Sequence, residues 1–150
     1  MSDNDRFHDN PNGVISDEEN GKEWLPKDSY QDLGVWRNWH EAQDYIRLMR
    51  QIYAGGHSDW RFPTREEALS LYDPNLKNKD LNGKDIHIHP VFVSKCSCYI
   101  WTSEVNEKDQ ALRVNLRDGT TEFIDKTIQE HQATRLVRDG SPKPQISQDA

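Results

Sequence analysis

Two short alternations hold the side chains best suited to a transition metal, His87-x-His89 and Cys96-x-Cys98. On an extended backbone residues two apart point to one face, and a set of imidazoles and thiolates is one that zinc or copper accepts. The competing reading is plainer: His89 precedes a turn at Pro90, His87 is solvated, and Cys98 is a small core residue, as free cysteines commonly are. The spacing is not that of a C-x-x-C knuckle, which favours the second reading, and no cofactor is expected. A bridge between Cys96 and Cys98 would be strained across one intervening residue, so the pair does not mark a disulfide scaffold.

Other residues invite chemistry less strongly. Asp59 and Arg61 flank Trp60 in Ser58-Asp59-Trp60-Arg61 and are suited to grip a ligand. A Trp just before a helix start more readily wedges under a sheet while its charged neighbours form hydrogen bonds or pair, and that reading is preferred. Asp3, Asp5, Asp9, Asp17, Glu18 and Glu19 offer carboxylates to calcium, but no D-x-D-x-D-G loop is present and solvated acids account for them. His40, between Trp39 and Glu41, has no Ser or Cys nucleophile at a recognisable turn near it. No catalytic residue is assigned. The sugar-binding tripeptides Glu-Pro-Asn and Gln-Pro-Asp are absent, and Asp73-Pro74-Asn75 reads as a helix-ending turn.

The elements that position these residues follow from periodicity. Gly13–Asp17 and Lys22–Leu25 flank Glu19-Asn20-Gly21, and Asn-Gly between short apolar runs predicts a hairpin. From Trp36 to Tyr53, Trp39, Ala42, Tyr45, Ile46, Met49, Ile52 and Tyr53 recur at steps of three and four, which predicts a helix ended by Gly55-Gly56. Thr64 and Glu67 after Pro63 form a capping-box pattern for a second, shorter helix. Residues 73–98 read as a long loop region with a short strand near Ile86–Ile88. Strands follow at 99–102, 111–116, 120–124 and 134–138, with Asp118-Gly119 as a turn, in the manner of an antiparallel meander. Two helices on antiparallel sheet, with no β-α-β alternation, describe an α+β domain. It is expected to span 7–138, with structureless ends at 1–6 and 139–150.

At 150 residues the chain suits one domain. Its mean hydropathy of -1.01 is very polar, yet five Trp, five Tyr and four Phe supply a core, with Trp39, Trp60 and Trp101 expected inside it. The balance of 19 basic against 26 acidic residues, net -7, with no basic stripe, argues against nucleic acid. No apolar run is long enough for membrane insertion and no signal peptide is evident, so the chain as given reads as cytoplasmic; an exported mature form would look the same.

Gly13-Val14-Ile15-Ser16-Asp17, Asn20-Gly21, Trp24, Trp39-x-x-Ala42-x-x-Tyr45 and above all Gly56-His57-Ser58-Asp59-Trp60-Arg61-Phe62-Pro63-Thr64-x-x-Glu67 resemble the Lcl C-terminal domain family. The likeness continues through His89-Pro90-x-Phe92, Tyr99–Ser103, Val114–Gly119 and Arg135–Arg138. It implies a C-type-lectin-like fold related to that of formylglycine-generating enzymes, in a bacterial family that includes an adhesin domain binding sulfated polysaccharide. The cysteine pair of those enzymes differs in spacing from Cys96-Ser97-Cys98. The expectation is therefore a non-catalytic module that binds a protein or glycan partner through loops 73–98 and 103–110. The alternatives are a metal- or thiol-dependent oxidoreductase using His87, His89, Cys96 and Cys98, and a structural subunit of a larger assembly.

Overall fold

The structure, a computed structural model, describes residues 6–140. Its ten strands are β1 Phe7–Asp9, β2 Ile15–Asp17, β3 Lys22–Trp24, β4 Asn78–Lys79, β5 Asp85–Ile86, β6 Tyr99–Val105, β7 Gln110–Asn115, β8 Thr121–Asp125, β9 Gln132–Ala133 and β10 Val137–Asp139. Three α-helices, α1 Ser29–Leu33, α2 Trp39–Gln51 and α3 Arg65–Ser70, lie between β3 and β4. The fold is α+β, as the periodicity implied.

The expected N-terminal hairpin is β2–β3, paired antiparallel with Ile15 opposite Trp24. Two of its surroundings were not foreseen. β1 adds an edge strand on β2, and β10 lies on the other side of β3, so the first sheet runs β1-β2-β3-β10. The strand expected over 134–138 is thus shorter, runs to Asp139, and leaves the meander to close the sheet at the opposite end of the chain. The second sheet has the order β8-β7-β6-β9, and β9 pairs parallel to β6 rather than antiparallel. Arg6 and Asp139, both expected in structureless ends, are engaged: Arg6 bonds Asp17 and Asp139 pairs with Lys22. The remaining expected ends, 1–5 and 141–150, lie outside the described residues.

Helix signals held closely. Asn38 caps α2, its side chain accepting the Glu41 N–H while the Glu41 side chain accepts the Asn38 N–H. This box starts the helix at Trp39, three residues later than Trp36, and the helix ends at Gln51, before the expected Gly55-Gly56, with Tyr53 the first residue beyond it to take positive φ. Thr64 and Glu67 make the same box on α3. A third box, Asp28 with Gln31, starts the short α1. In the β7–β8 turn Gly119 has φ +76, and a Cβ there would meet the Tyr72 ring at 2.9 Å, so no other residue fits without displacement.

Successive residues of a strand face opposite sides, and in β6 both sides are buried. Ile100 joins a cluster with Phe7, Ile15, Trp24, Leu71, Phe92 and Val114, which α3 enters through Ala68. Trp101 joins a second with Trp60, Phe62, Ala111, Ile124 and the α2 residues Ala42, Tyr45 and Ile46. Trp60 and Trp101 are fully buried as expected, but Trp39 is only half-buried. It lies at the rim, where its ring stacks on Phe62 at 5.2 Å and its Nε1–H reaches the Thr102 carbonyl at 3.0 Å.

Candidate recognition site

The long loop region is held by short, definite pairings. The Lys95 N–H donates to the Lys79 carbonyl at 2.8 Å and the Leu81 N–H to the Cys96 carbonyl at 2.9 Å. These bonds set residues 95–98 beside the turn joining β4 to β5. From the other side, the Leu116 N–H donates to the Cys98 carbonyl at 2.7 Å and draws the end of β7 against the same segment. Where the three meet lies a pocket of about 380 Å³, lined by Trp36, Asp80, Leu81, Asn82, Lys84, Ser97, Cys98, Tyr99, Arg117 and His131.

Its floor is rigid. The Asp28 carboxylate, fully buried, accepts the Gln31 N–H through Oδ1 and the Ser97 N–H through Oδ2, so one side chain caps α1 and anchors the pocket wall. Burial raises the Asp28 pKa, against the opposing field of Arg135 and these two amides. The Ser97 hydroxyl donates to the His131 carbonyl at 2.6 Å and accepts the Tyr99 N–H at 3.1 Å. His131 has φ +87, a backbone conformation that non-glycine residues rarely adopt and that clusters at functional sites. Trp36, also in the lining, is stacked on Tyr30 at 4.2 Å with the His131 ring 6.1 Å away.

The charged groups have unequal freedom. Asp80, 1% exposed, accepts the Asn82 and Lys84 N–H groups on Oδ1 and Arg117 Nε and Nη2 on Oδ2. Burial alone would raise its pKa, but the Arg117 and backbone donors outweigh it and hold the carboxyl below its usual range. With every lone-pair direction occupied, Asp80 is a brace for Arg117 and for the turn. The pocket therefore presents to a ligand two aromatic faces, the Asn82 amide, and the cations of Lys84 and Arg117. Tyr99 is backed by Arg113, whose guanidinium lies 3.7 Å over the ring.

The four residues singled out as metal ligands are dispersed. His87 Nδ1 is 2.8 Å from the Leu76 carbonyl, with its ring edge-on to Tyr72. His89 is buried against Phe7, and its Nδ1 accepts the Val91 N–H at 3.0 Å. Cys96 is a core residue whose pKa burial pushes up to about 11, and Cys98, half-buried, is also raised by burial first. Both are free thiols. Neither 87–89 nor 96–98 is a continuous strand, so the alternation that would align each pair does not operate. Among the described residues no three His, Cys, Asp or Glu side chains come together in a way that could hold a metal ion.

The other candidates are structural. Asp59 pairs with Arg138, and Arg61 bonds Glu67 bidentately and reaches Asp139, so each finds a partner but not the other. Asp17 binds Arg6 and the amides of Glu19 and Asn20. His40 is exposed. Loop 103–110 supplies none of the pocket lining. Trp36, Arg117 and His131 were not singled out from sequence, and a lone Trp before a helix cap was the only signal available.

The sequence model of the Lcl C-terminal domain matches residues 13–138, most of the chain. The chain belongs to the Lcl C-terminal domain family. No curated protein and no solved structure matches it. The matched span of this Lcl C-terminal domain contains every residue lining the pocket, while β1 precedes it and Asp139 lies just beyond. Among the described residues no helix is long and apolar enough to cross a membrane.

Proposed function

We propose that this domain is a non-catalytic recognition module of C-type-lectin-like fold that takes a glycan or protein partner at the pocket between the 80–84 turn, Ser97–Tyr99, Arg117 and His131. The observation that carries the reading is the pairing of the Trp36 and Tyr99 faces with the Arg117, Lys84 and Asn82 donors around one concavity on a braced floor. Concave sites with apolar walls and a few convergent polar groups are where ligands bind. A flat sugar face or a planar side chain stacks on such rings, while hydroxyl or carboxyl oxygens meet the donors.

The same geometry favours binding over turnover. Catalysis by nucleophile and base needs the two in hydrogen-bond reach, and among the described residues no Ser, Thr or Cys side chain is bonded to a histidine ring; the Ser97 hydroxyl meets only the backbone carbonyl of His131. The thiol nearest the pocket, Cys98, is moved by burial away from the reactive thiolate form.

Calorimetric titration against a panel of neutral and anionic oligosaccharides and short peptides tests the reading. Binding should be lost in Trp36→Ala and in Lys84→Glu, and retained in Arg47→Gln on α2, outside the pocket lining. A ligand that binds all three variants like the parent, or one that the domain chemically converts, overturns it.

A further inference from the structure

Asn82-Gly83 is one of three Asn-Gly pairs in the chain, with Asn12-Gly13 and Asn20-Gly21. All three glycines have positive φ, at +87, +67 and +77 for residues 13, 21 and 83, and each glycine N–H is held in a turn. Their backbones are therefore alike. The asparagine side chains are not. Asn12 Oδ1 accepts the Val14 N–H at 3.0 Å and its Nδ2 donates to the Gly55 carbonyl at 3.1 Å. Asn20 Nδ2 donates to Asp17 Oδ2 at 3.0 Å. The Asn82 side chain, exposed at the pocket rim, makes no hydrogen bond with any described residue, although its own backbone N–H is bound to Asp80.

We propose that Asn82 is a spontaneous deamidation site that changes the charge of the pocket. The deprotonated Gly83 nitrogen attacks the Asn82 side-chain carbonyl carbon, forming a new C–N bond, and ammonia leaves from that carbon to give a cyclic imide. Water then opens the imide at either carbonyl, yielding aspartate or the isoaspartyl linkage. No oxidant, reductant or enzyme enters the balance. Attack requires the Gly83 N–H to leave the Asp80 carbonyl, now 3.0 Å away; the strands it joins, β4 and β5, are two residues each, and although Asp80 also holds the Asn82 and Lys84 amides, the Asn82 side chain itself is tied to nothing described. Gly21, by contrast, ends the turn that joins β2 to β3 of the four-stranded first sheet, and its carbonyl also accepts the Gly140 N–H at 2.9 Å. Lys84 and Arg117, on the same pocket wall, favour the negative charge that develops on the attacked carbonyl oxygen. The product places a carboxylate among those cations, and the isoaspartyl form also lengthens the backbone of the turn. The chemistry stands whatever the pocket binds.

The test is peptide mapping by mass spectrometry of the native chain aged at mildly alkaline pH, with aspartate and isoaspartate resolved, beside a sample aged in denaturant. In the native sample Asn82 should convert several-fold faster than Asn12 or Asn20, and in denaturant the three rates should draw together. Asn82→Gln should remove the fast conversion and leave the two slow ones. Native Asn12 or Asn20 converting as fast as Asn82, or a ranking that persists in denaturant, overturns the proposal.

Discussion

Arg117 is held at the pocket rim by Asp80, whose Oδ2 receives Nη2 at 2.7 Å and Nε at 3.0 Å. A single buried carboxylate thereby sets both the direction of the guanidinium and the shape of the 80–84 turn. Asp80→Asn keeps the size and loses the charge. It should destabilise the domain by about 1.5–3 kcal/mol, the range for hydrogen bonds to charged groups, measurable by urea unfolding. An unchanged midpoint would show that the brace is idle.

Glu67 dominates the expected acid response. Burial pushes its pKa up, but the Arg61 guanidinium, the Thr64 N–H and Lys22 outweigh burial and bring the carboxyl down to about 2. A folded pKa below the unfolded value of 4.5 means stability that is complete above pH 4.5 and lost as pH falls from there towards 2. The contribution is at most about 3 kcal/mol. Glu67→Gln retains the capping geometry without the charge. Its stability should lie below that of the parent at neutral pH, and the two curves should converge on acidification. Parallel curves through that window would contradict the assignment.

Trp60 is fully buried and its Nε1–H donates to the Ala54 carbonyl at 2.8 Å. Trp60→Ala should cost about 3–5 kcal/mol, read as a lowered melting temperature. A melting temperature equal to the parent's would remove Trp60 from the core.

Thr64→Ala tests the α3 cap, where Oγ1 accepts the Glu67 N–H at 3.1 Å. About 1 kcal/mol should be lost. The far larger effect of Trp60→Ala separates loss of packing from loss of a cap.

What the sequence revealed divides along a physical line. Capping boxes, helical period and Asn-Gly or Asp-Gly turns are local, so α2, α3, β2–β3 and β7–β8 were legible. α1 escaped because its five residues show no period, although Asp28 and Gln31 carried its cap. β9 was missed and β10 was assigned to the meander because their partners, Tyr99–Ile100 and Lys22–Trp24, are far away in sequence and nothing local names them. The region of the pocket was legible as a long loop. Its composition was not, since Trp36, Arg117 and His131 are recruited from separate segments. The spacing of His87, His89, Cys96 and Cys98 says little either way, because neither short segment is a continuous strand that would turn both members of a pair to one face.

The position of β10 governs how the molecule can be made. Val137–Asp139 pairs along its length with β3, laid down more than a hundred positions earlier, Asp139 with Lys22 across 117 residues, while Val137 also bridges Arg61. While the chain is still on the ribosome, β3 therefore presents an open edge, the kind of surface that recruits stray strands. The first sheet closes only after residue 139 has emerged from the exit tunnel. Its completion waits on β10, and termination anywhere upstream of that strand yields a chain with the edge exposed.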